Sequence, residues 1–511
     1  MATQPAHGIL TGTAPGLTYT PTTGYNGPDS FTFTASNGSA SSAPATISLT
    51  VATGTPVADP QSVSTTLNAA KAITLTGSDP DVPPLPLTFA ITSSPTHGGL
   101  SGTAPNVTYT PSTGYLGPDS FAFTTNNGTN TSAPATVVIS VGSSLIVEPQ
   151  IPVSLLAGNV PKAPLVQGAD GNFYGTTSTG GSSNLGTIFK LTPAGVITTP
   201  VNFYGANGAT PLGGLVLAND GNFYGTTSLG GNSNLGTIFR LTAGGTFSTL
   251  VHCTSATGTG PKAALLQAGD GNLYGTTSAG GTGSSGAIFK MTTAGVLTVL
   301  TNFTGTLSTA YGSGCQSSLI QASDGNLYGT TSSGGANSLG TVFKVTTAGV
   351  FTNLLSFTGT TGAFLGSNPQ AAPVQGADGL LYGTTNAGGT GGFGSVFKVT
   401  TAGTFTSLVS FTGTTGVALG SGSQSTLLQW ATDGNFYGTT SGGGTNSSGT
   451  IFKITPAGVF TTLRSLSTSS TDCYAPNSGL VLGLDGNFWG AGSNGAADAR
   501  GGVFKIGRAH V

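Results

Sequence analysis

The phrase DGNFYGTTS at residues 170–178 returns six more times, lightly edited, with copies beginning at Asp170, Asp220, Asp270, Asp324, Asp378, Asp433 and Asp485. The spacings are 50, 50, 54, 54, 55 and 52 residues. A period near fifty that holds four strand-like runs is the sequence signature of a β-propeller, each repeat building one blade. In the third unit the runs are AALLQA, NLYGTTS, GAIFKMT and GVLTVLTNF, denoted a, b, c and d. One such sheet cannot bury both of its faces, whereas seven in a ring cover each face with a neighbour. The repetition therefore predicts an all-β chain whose main body is a closed seven-bladed β-propeller.

Turn chemistry separates the runs. The Asp-Gly pair between a and b reads as a tight hairpin with two central residues at positive φ, a conformation cheapest for Asn, Asp and Gly. A glycine-rich loop joins b to c, and TTAG joins c to d. Each FYG or LYG offers an aromatic ring to the gap between blades and a glycine for close approach. The seventh copy reads FWG, with Trp489 in place of Tyr. That unit ends after its c run, and aligning VPKAPLVQ (160–167) with GPKAALLQ (260–267) puts residues 147–156 in the d position. Segment 143–156 is thus expected to close the ring as the edge strand of blade seven, where Pro149 and Pro152 are tolerated. The alternative is a final d strand beyond the given C-terminus.

Only 28 residues are charged, 13 basic and 15 acidic. No basic stripe is available to neutralise phosphates, which excludes a nucleic-acid role. Seven of the acids are the turn aspartates. Seven of the bases, Lys190, Arg240, Lys290, Lys344, Lys398, Lys453 and Lys505, fill one slot in run c. Pairing of aspartate with cation inside each blade, the lysine stem packed between blades, is the structural reading. A functional ring of seven cations or seven anions is the sharper one. The 85 glycines show no three-residue period, so collagen is excluded. Cys253, Cys315 and Cys473 are odd in number and far apart, which leaves no disulfide framework and predicts small buried residues. No window approaches eighteen consecutive apolar residues, so no membrane-spanning helix is expected. The polar ATQPAHG after Met1 is no signal peptide.

Ahead of the seven units, residues 7–51 and 97–141 repeat each other with an offset of 90. HGILTGTAPGLTYTPTTGYNGPDSFTFT stands against HGGLSGTAPNVTYTPSTGYLGPDSFAFT. The second copy follows roughly forty residues that the first lacks, so Met1 is expected to fall inside a domain, with its first strands and any export signal upstream. Short alternating runs such as AITLTG, LTFAIT and ATVVISV predict an antiparallel sandwich, with inward aromatics from TYTP and DSFxF. The plan is a truncated Ig-like repeat at 1–52, a complete Ig-like sandwich at 55–142, and the propeller at 143–506. Residues 507–511 read as a sequencing-adapter frame, so Arg508 and His510 receive no role. SDPD supplies Asp79 and Asp81, hard oxygen ligands at a strand end. Calcium there competes with a plain turn, since a full site takes six to eight oxygens and VPP follows where another acid often stands. No other cofactor is expected.

Strand alternation places the a-to-b and c-to-d turns on one rim, and the b-to-c loops and d-to-a crossovers on the other. The first rim is monotonous. The second varies, from TGGSSNLG to AGGTGGFG among the loops and from YGANGATPLGG to STSSTDCYAPN among the crossovers. Variation gathered on one rim of a constant scaffold marks the expected ligand face. Tyr204, Tyr311, Phe364, Phe393 and Tyr474 are its candidate binding residues, able to stack on sugar rings or form a protein-binding patch. The alternative is that they pin their own loops.

These motifs carry a resemblance. The pattern HGxLxGTAPxxTYTPxxGYxGPDSFxF over residues 1–142 resembles bacterial Ig-like or cadherin-like tandem repeats. Residues 143–506 resemble the GloVer-type tandem repeat through DGNxYGTTSxGGxxxxGTxFKxT, with Asn386 for Ser in the fifth copy and a degenerate seventh. The resemblance implies an exported bacterial surface protein with a C-terminal anchor or sorting segment, which the given residues do not contain.

Catalysis needs convergent groups with tuned pKa values. Of four histidines, His7 and His97 share one turn position in two copies, His252 lies on an outer strand and His510 is in the final segment. No Ser-His-Asp, paired-carboxylate or zinc-ligand spacing is present, and no catalytic residue is assigned. The expectation is a monomeric, non-catalytic extracellular or cell-surface binding or adhesion protein. Its sandwiches act as a stalk, and its propeller presents the variable rim to a polysaccharide or cell-surface protein. A polysaccharide-active propeller enzyme would need carboxylates along the central channel, where run a carries almost none. A purely structural surface repeat is the third reading.

Overall fold

A computed structural model describes residues 3–66, 68–81, 84–113, 115, 117–142, 145–146, 158–306, 311–468, 473–495 and 500–508. Every regular element among them is a β-strand. The chain divides into two compact units, Met1–Ser144 and Leu145–Val511.

In the first unit, Lys71–Thr74, Gly98–Thr103 and Asn106–Pro111 form one antiparallel sheet. Gln61–Thr66, Thr88–Ser93, Gly117–Asn126 and Ala135–Gly142 form a second, in which Gln61–Thr66 runs parallel to its neighbour. The alternation of TYTP and DSFAF turns Tyr109, Phe121 and Phe123 into a shared core with Val137 and Ile139, all essentially without solvent contact. The repeated letters of this unit are structural. Asp119 accepts from Tyr109 Oη at 2.9 Å and from the backbone N–H of Thr96, His97 and Ser120. His97 stacks on Tyr115 with ring centroids 4.1 Å apart. The first copy repeats this, with Tyr19 on Asp29 and His7 on Tyr25. Among the described residues its strands are Gly8–Thr13 paired with Gly16–Pro21 and Gly27–Phe33 paired with Ala45–Val51. Its Ile9, Phe33 and Ile47 are exposed.

Among the described strands of the second unit each repeat forms one antiparallel sheet, six of them four-stranded and the first five-stranded through the extra strand Gly158–Pro161. Cys473–Tyr474 pairs with Asn494–Gly495 as a separate two-stranded ribbon. In the third, Leu266–Gln267, Leu273–Thr276, Ala287–Met291 and Leu297–Asn302 are runs a to d in order. Runs b and c are buried on both faces, which is why they read as near-continuous apolar stretches. Neighbouring side chains serve opposite sides. Phe173 and Phe189 face the seventh sheet, whereas Tyr174 and Ile188 face the second. Six apolar clusters each join consecutive sheets. A seventh packs Trp489 and Val503 of the last against Leu165, Phe173, Phe189 and Leu191 of the first. Gln167 Oε1 also accepts from Leu484 N at 2.8 Å across that seam. The last sheet takes its fourth strand from before the first repeat, with Leu145 opposite Arg508 and Ile146 opposite Gly507. Residues 147–156, aligned with the d position by sequence, lie outside the described residues. Gly507 and Arg508, read above as adapter sequence, end the strand Gly502–Arg508.

The nine-residue phrase is explained letter by letter. Asp takes a hydrogen bond from the hydroxyl of the Tyr four residues on, at 2.9 Å for Tyr174 and 2.6 Å for Tyr328. It also takes one from the intervening Asn side chain, as Asn172 gives to Asp170. The Tyr rings fill the gaps between sheets. The following Gly lies directly across from the Phe of run c, as Gly329 does from Phe343, and that ring covers it. The first Thr reaches into the next sheet, where Thr226 Oγ1 donates to Ala263 O at 3.0 Å. The second bonds run c of its own sheet, as Thr331 does with Thr341 at 2.9 Å. The Ser returns to its own crossover, Ser332 Oγ donating to Gly314 O at 2.7 Å. Side-chain partners inside a dry sheet stack satisfy groups that would each cost about 1–3 kcal/mol unpaired.

The Asp-Gly turn differs from expectation. Gly168 N bonds Asn172 O and Gly171 N bonds Gly168 O, so the loop has three residues rather than two. Only the glycine has positive φ, +76° at Gly171. This is a type I turn closed by a left-handed glycine, and the aspartate keeps ordinary backbone angles so that its carboxylate can reach back to the Tyr.

Candidate functional site

The rim predicted to vary is built by crossovers that pair with the ends of run b, as Ala209 does with Leu229 and Ser367 with Ala387. The five candidate aromatics are spread around it, each in a different repeat junction or loop, and no two of them make a ring contact among the described residues. Tyr204 and Phe393 are exposed, 62% and 45%. The Phe393 ring lies against Gly413 of the next crossover. Phe364 is half-buried and meets Phe405 edge-on at 5.7 Å, packed against the cluster between sheets four and five. Tyr474 is half-buried in a two-residue ribbon opposite Asn494 and packs on the cluster between sheets six and seven. Tyr311 is half-buried.

The repeated charges meet unevenly. Lys190 pairs with Asp170 at 2.9 Å, Lys290 with Asp270 at 3.2 Å and Lys505 with Asp485 at 3.9 Å. Their ammonium groups also sit 5.6–5.8 Å from the ring centroids of Tyr174, Tyr274 and Trp489. Lys398 instead donates to Pro456 O of the next sheet at 3.1 Å. The partner of the turn aspartates Asp170, Asp220, Asp270, Asp324, Asp378 and Asp433 is the Tyr hydroxyl, and Asp485 takes Trp489 Nε1 at 3.3 Å. Partial burial raises the Asp270 pKa, but hydrogen bonds from Asn272, Tyr274 and Lys290 together outweigh it and hold the carboxyl at about 2. Burial and the bond to Asp220 push Tyr224 up to about 12. Sequence reasoning saw the aromatic and the aspartate separately. The signal that joins them is their constant four-residue spacing across a turn.

Cys253, Cys315 and Cys473 are buried, and none of them forms a disulfide among the described residues. Burial pushes the Cys253 thiol up to about 12 and Cys315 to about 11, so neither is an activated nucleophile. Both carboxylate oxygens of Asp79 accept from protein donors. Its Oδ1 accepts from Asp81 N and Leu85 N, and its Oδ2 from Asn127 Nδ2 at 2.8 Å. Asp81 Oδ1 accepts from Gly54 N at 2.9 Å, and its Oδ2 is buried without a partner among the described residues. The turn accounts for three of these four oxygens.

Sequence reasoning missed a cavity of about 230 Å3 lined by all seven repeats of the second unit. Each contributes the start of run a. At one equivalent position stand Lys162, Leu212, Lys262, Gln316, Gln370, Gln424 and Asn477. A single cavity can touch seven consecutive sheets at matching positions only if they surround it. Its inner wall is made of small residues because neighbouring backbones come close there: a Cβ on Gly213 would collide with the backbone of Ala263. The wall carbonyls are engaged by the Thr of the preceding sheet, Gly213 O by Thr176 and Ala371 O by Thr330. The larger side chains therefore decide what the cavity can hold, and none of its lining residues is acidic.

Among solved structures the chain is similar to the extracellular domain of a hybrid two-component system from B. thetaiotaomicron. The identity is 12% and the TM-score 0.47, over 85% of this chain and 52% of that one. It is also similar to the BP39L lectin from Burkholderia pseudomallei, at 10% identity and a TM-score of 0.43, over 69% of this chain and 99% of the lectin. A third similarity is to puromycin hydrolase, at 12% identity and a TM-score of 0.41, over 68% of this chain and 52% of the hydrolase. The chain thus spans about half the length of the first of these. No curated protein matches it. Residues 1–50 and 53–140 match the bacterial Ig domain. Residues 110–318 and 307–504, most of the sequence, match the Gloeobacter/Verrucomicrobia repeat, and the chain belongs to that family.

Proposed function

We propose that this chain is a non-catalytic binding protein of the bacterial cell exterior. In this reading the seven sheets are the blades of a closed propeller, the Ig-like repeats are its stalk, and the loop-and-crossover rim carries recognition. The observation that carries the reading is the division of labour along each repeat. The letters held constant are consumed in turns, stitching and packing, whereas the segments that differ lie together at one end and expose Tyr204 and Phe393. Exposed aromatics on a rigid frame suit stacking on sugar rings or anchoring a partner protein. The non-catalytic reading is supported by how the turn aspartates are engaged: each is held by a Tyr or Trp of its own sheet. The test is to screen the full chain against polysaccharides and cell-surface proteins, and then to repeat the positive interactions with Tyr204→Ala and Phe393→Ala. Binding that falls at least tenfold in either variant supports the rim. Binding unchanged in both removes these residues, and hydrolysis of a bound polysaccharide would replace the reading with an enzyme.

A further inference from the structure

Around the cavity the repeats stop being alike. At the seven equivalent positions the first three supply Lys162, Leu212 and Lys262, and the next four supply Gln316, Gln370, Gln424 and Asn477. Where packing dictates a residue in this protein, nearly every copy carries the same one. The Gly opposite the run c Phe is present in all seven repeats. A position that carries two lysines and a leucine in the first three repeats and carboxamides in the last four is under a different constraint.

The chemistry of the two blocks is complementary. Lys162 and Lys262 make no hydrogen bond or ion pair among the described residues, and no acidic residue lines the cavity to neutralise them. The carboxamides are oriented by long bonds from their nitrogens. Gln316 reaches Ser332 Oγ at 3.4 Å, Gln424 reaches Asn386 Oδ1 at 3.4 Å, and Asn477 reaches Ser493 Oγ at 3.3 Å. Their carbonyl oxygens are left as acceptors for hydroxyl groups. Leu212, between the two lysines in repeat order, offers an apolar surface of the kind that a sugar ring's C–H face covers.

We propose that this cavity binds a small hydroxylated carboxylate, the size of one acidic sugar residue. Its carboxylate lies toward Lys162 and Lys262 and its hydroxyls toward the carboxamides of Gln316, Gln370 and Gln424. The volume, about 230 Å3, falls below the roughly 300–1,000 Å3 of pockets that take drug-sized ligands, so one sugar unit rather than an oligosaccharide fits. The proposal rests on reading this end of the repeats as the recognition face, and it names the ligand class there.

The experiment is calorimetric titration of the full chain with glucuronate, glucose and acetate at low and at physiological salt, in parallel with the Lys162→Gln/Lys262→Gln double variant. Both lysines sit at the cavity lining and outside the sheet cores, and circular dichroism and the unfolding midpoint check that the double variant is folded. Saturable glucuronate binding is expected, at least tenfold tighter than either control, weakening as salt screens the lysines, and falling to the glucose level in the double variant. Tyr204→Ala/Phe393→Ala should bind glucuronate as the parent does. Equal binding of glucose and glucuronate, no saturable binding, or an unaffected double variant would overturn the proposal. Loss of rim binding in the aromatic variants with glucuronate binding intact would separate the two sites. Rim binding without any glucuronate binding would sink the cavity and leave the rim reading standing.

Discussion

Gly329 is the position where the packing argument can be tested most sharply. It lies in the middle of run b, and its backbone is not in the left-handed region, so alanine is tolerated by the main chain. In an ordinary strand such a replacement gains about 0.5–1 kcal/mol, because glycine loses the most freedom on folding. Here a Cβ would lie 2.6 Å from Phe343 Cζ and 2.9 Å from Leu319 Cδ2, about 1 Å inside the usual 3.5–4.0 Å carbon contact. Phe343 cannot step aside. It is fully buried, with Phe303 of the preceding repeat 5.5 Å and Phe351 5.3 Å from its centroid. Overpacking of this kind costs about 1–3 kcal/mol, so Gly329→Ala is expected to lose roughly 1–2 kcal/mol net. The assay is the urea midpoint at unchanged slope. Phe343→Leu withdraws the ring tip that the methyl strikes. The double variant should therefore lose less than the sum of the singles, with a coupling of at least about 0.5 kcal/mol. Gly325→Ala is the control. Nothing lies within 4 Å of its Cβ position, but its φ is +78°, so it should cost about 1–2 kcal/mol and gain nothing from Phe343→Leu. A neutral or stabilising Gly329→Ala, or strict additivity with Phe343→Leu, would refute the reasoning.

Thr226→Val keeps the shape but removes the donor to Ala263 O, leaving a buried carbonyl short of its partner; a loss of about 1–3 kcal/mol is expected in the urea midpoint. Asp170, Asp220, Asp270, Asp324 and Asp485, whose carboxyls are held below the usual range, make the fold acid-sensitive. Asp270 is held at about 2 in the folded chain against about 3.9 when unfolded, so its contribution is complete above pH 4 and disappears as pH falls toward 2. The unfolding midpoint should drop across that window, and less steeply in Asp270→Asn. Gln167→Leu removes the side-chain bond across the seam between last and first sheets, yet Leu217 and Leu482 occupy the equivalent positions in two repeats. Its loss should stay below about 1 kcal/mol, measured the same way. Because both Asp79 oxygens already accept from protein donors, added calcium or a chelator should leave the thermal midpoint of the full chain unchanged; a rise with calcium would show that Asp81 and its neighbours hold the ion.

The repeat unit, its four runs and their order were legible in the amino-acid sequence because each follows from local pattern. Period-two alternation sets which side chains face a neighbouring sheet, and the left-handed glycine ends run a wherever Asp-Gly occurs. The same holds for Tyr109, Phe121 and Phe123 in the Ig-like unit. The form of the turn was misread, because the aspartate's backbone is decided by its reach to a Tyr four residues away rather than by its own propensity. The threonine stitching was invisible for a similar reason: Thr226 and Ala263 are far apart along the chain and meet only when two sheets pack.

By itself, then, the sequence determined a stack of near-identical sheets and the rim on which they differ, since both are written within single repeats. Only the tertiary structure decided which aromatics stay exposed, and only it drew Lys162, Lys262 and the carboxamides around one cavity. The reason is geometric. Each repeat contributes one side chain to that cavity, and one side chain is no motif until seven sheets bring their equivalents together.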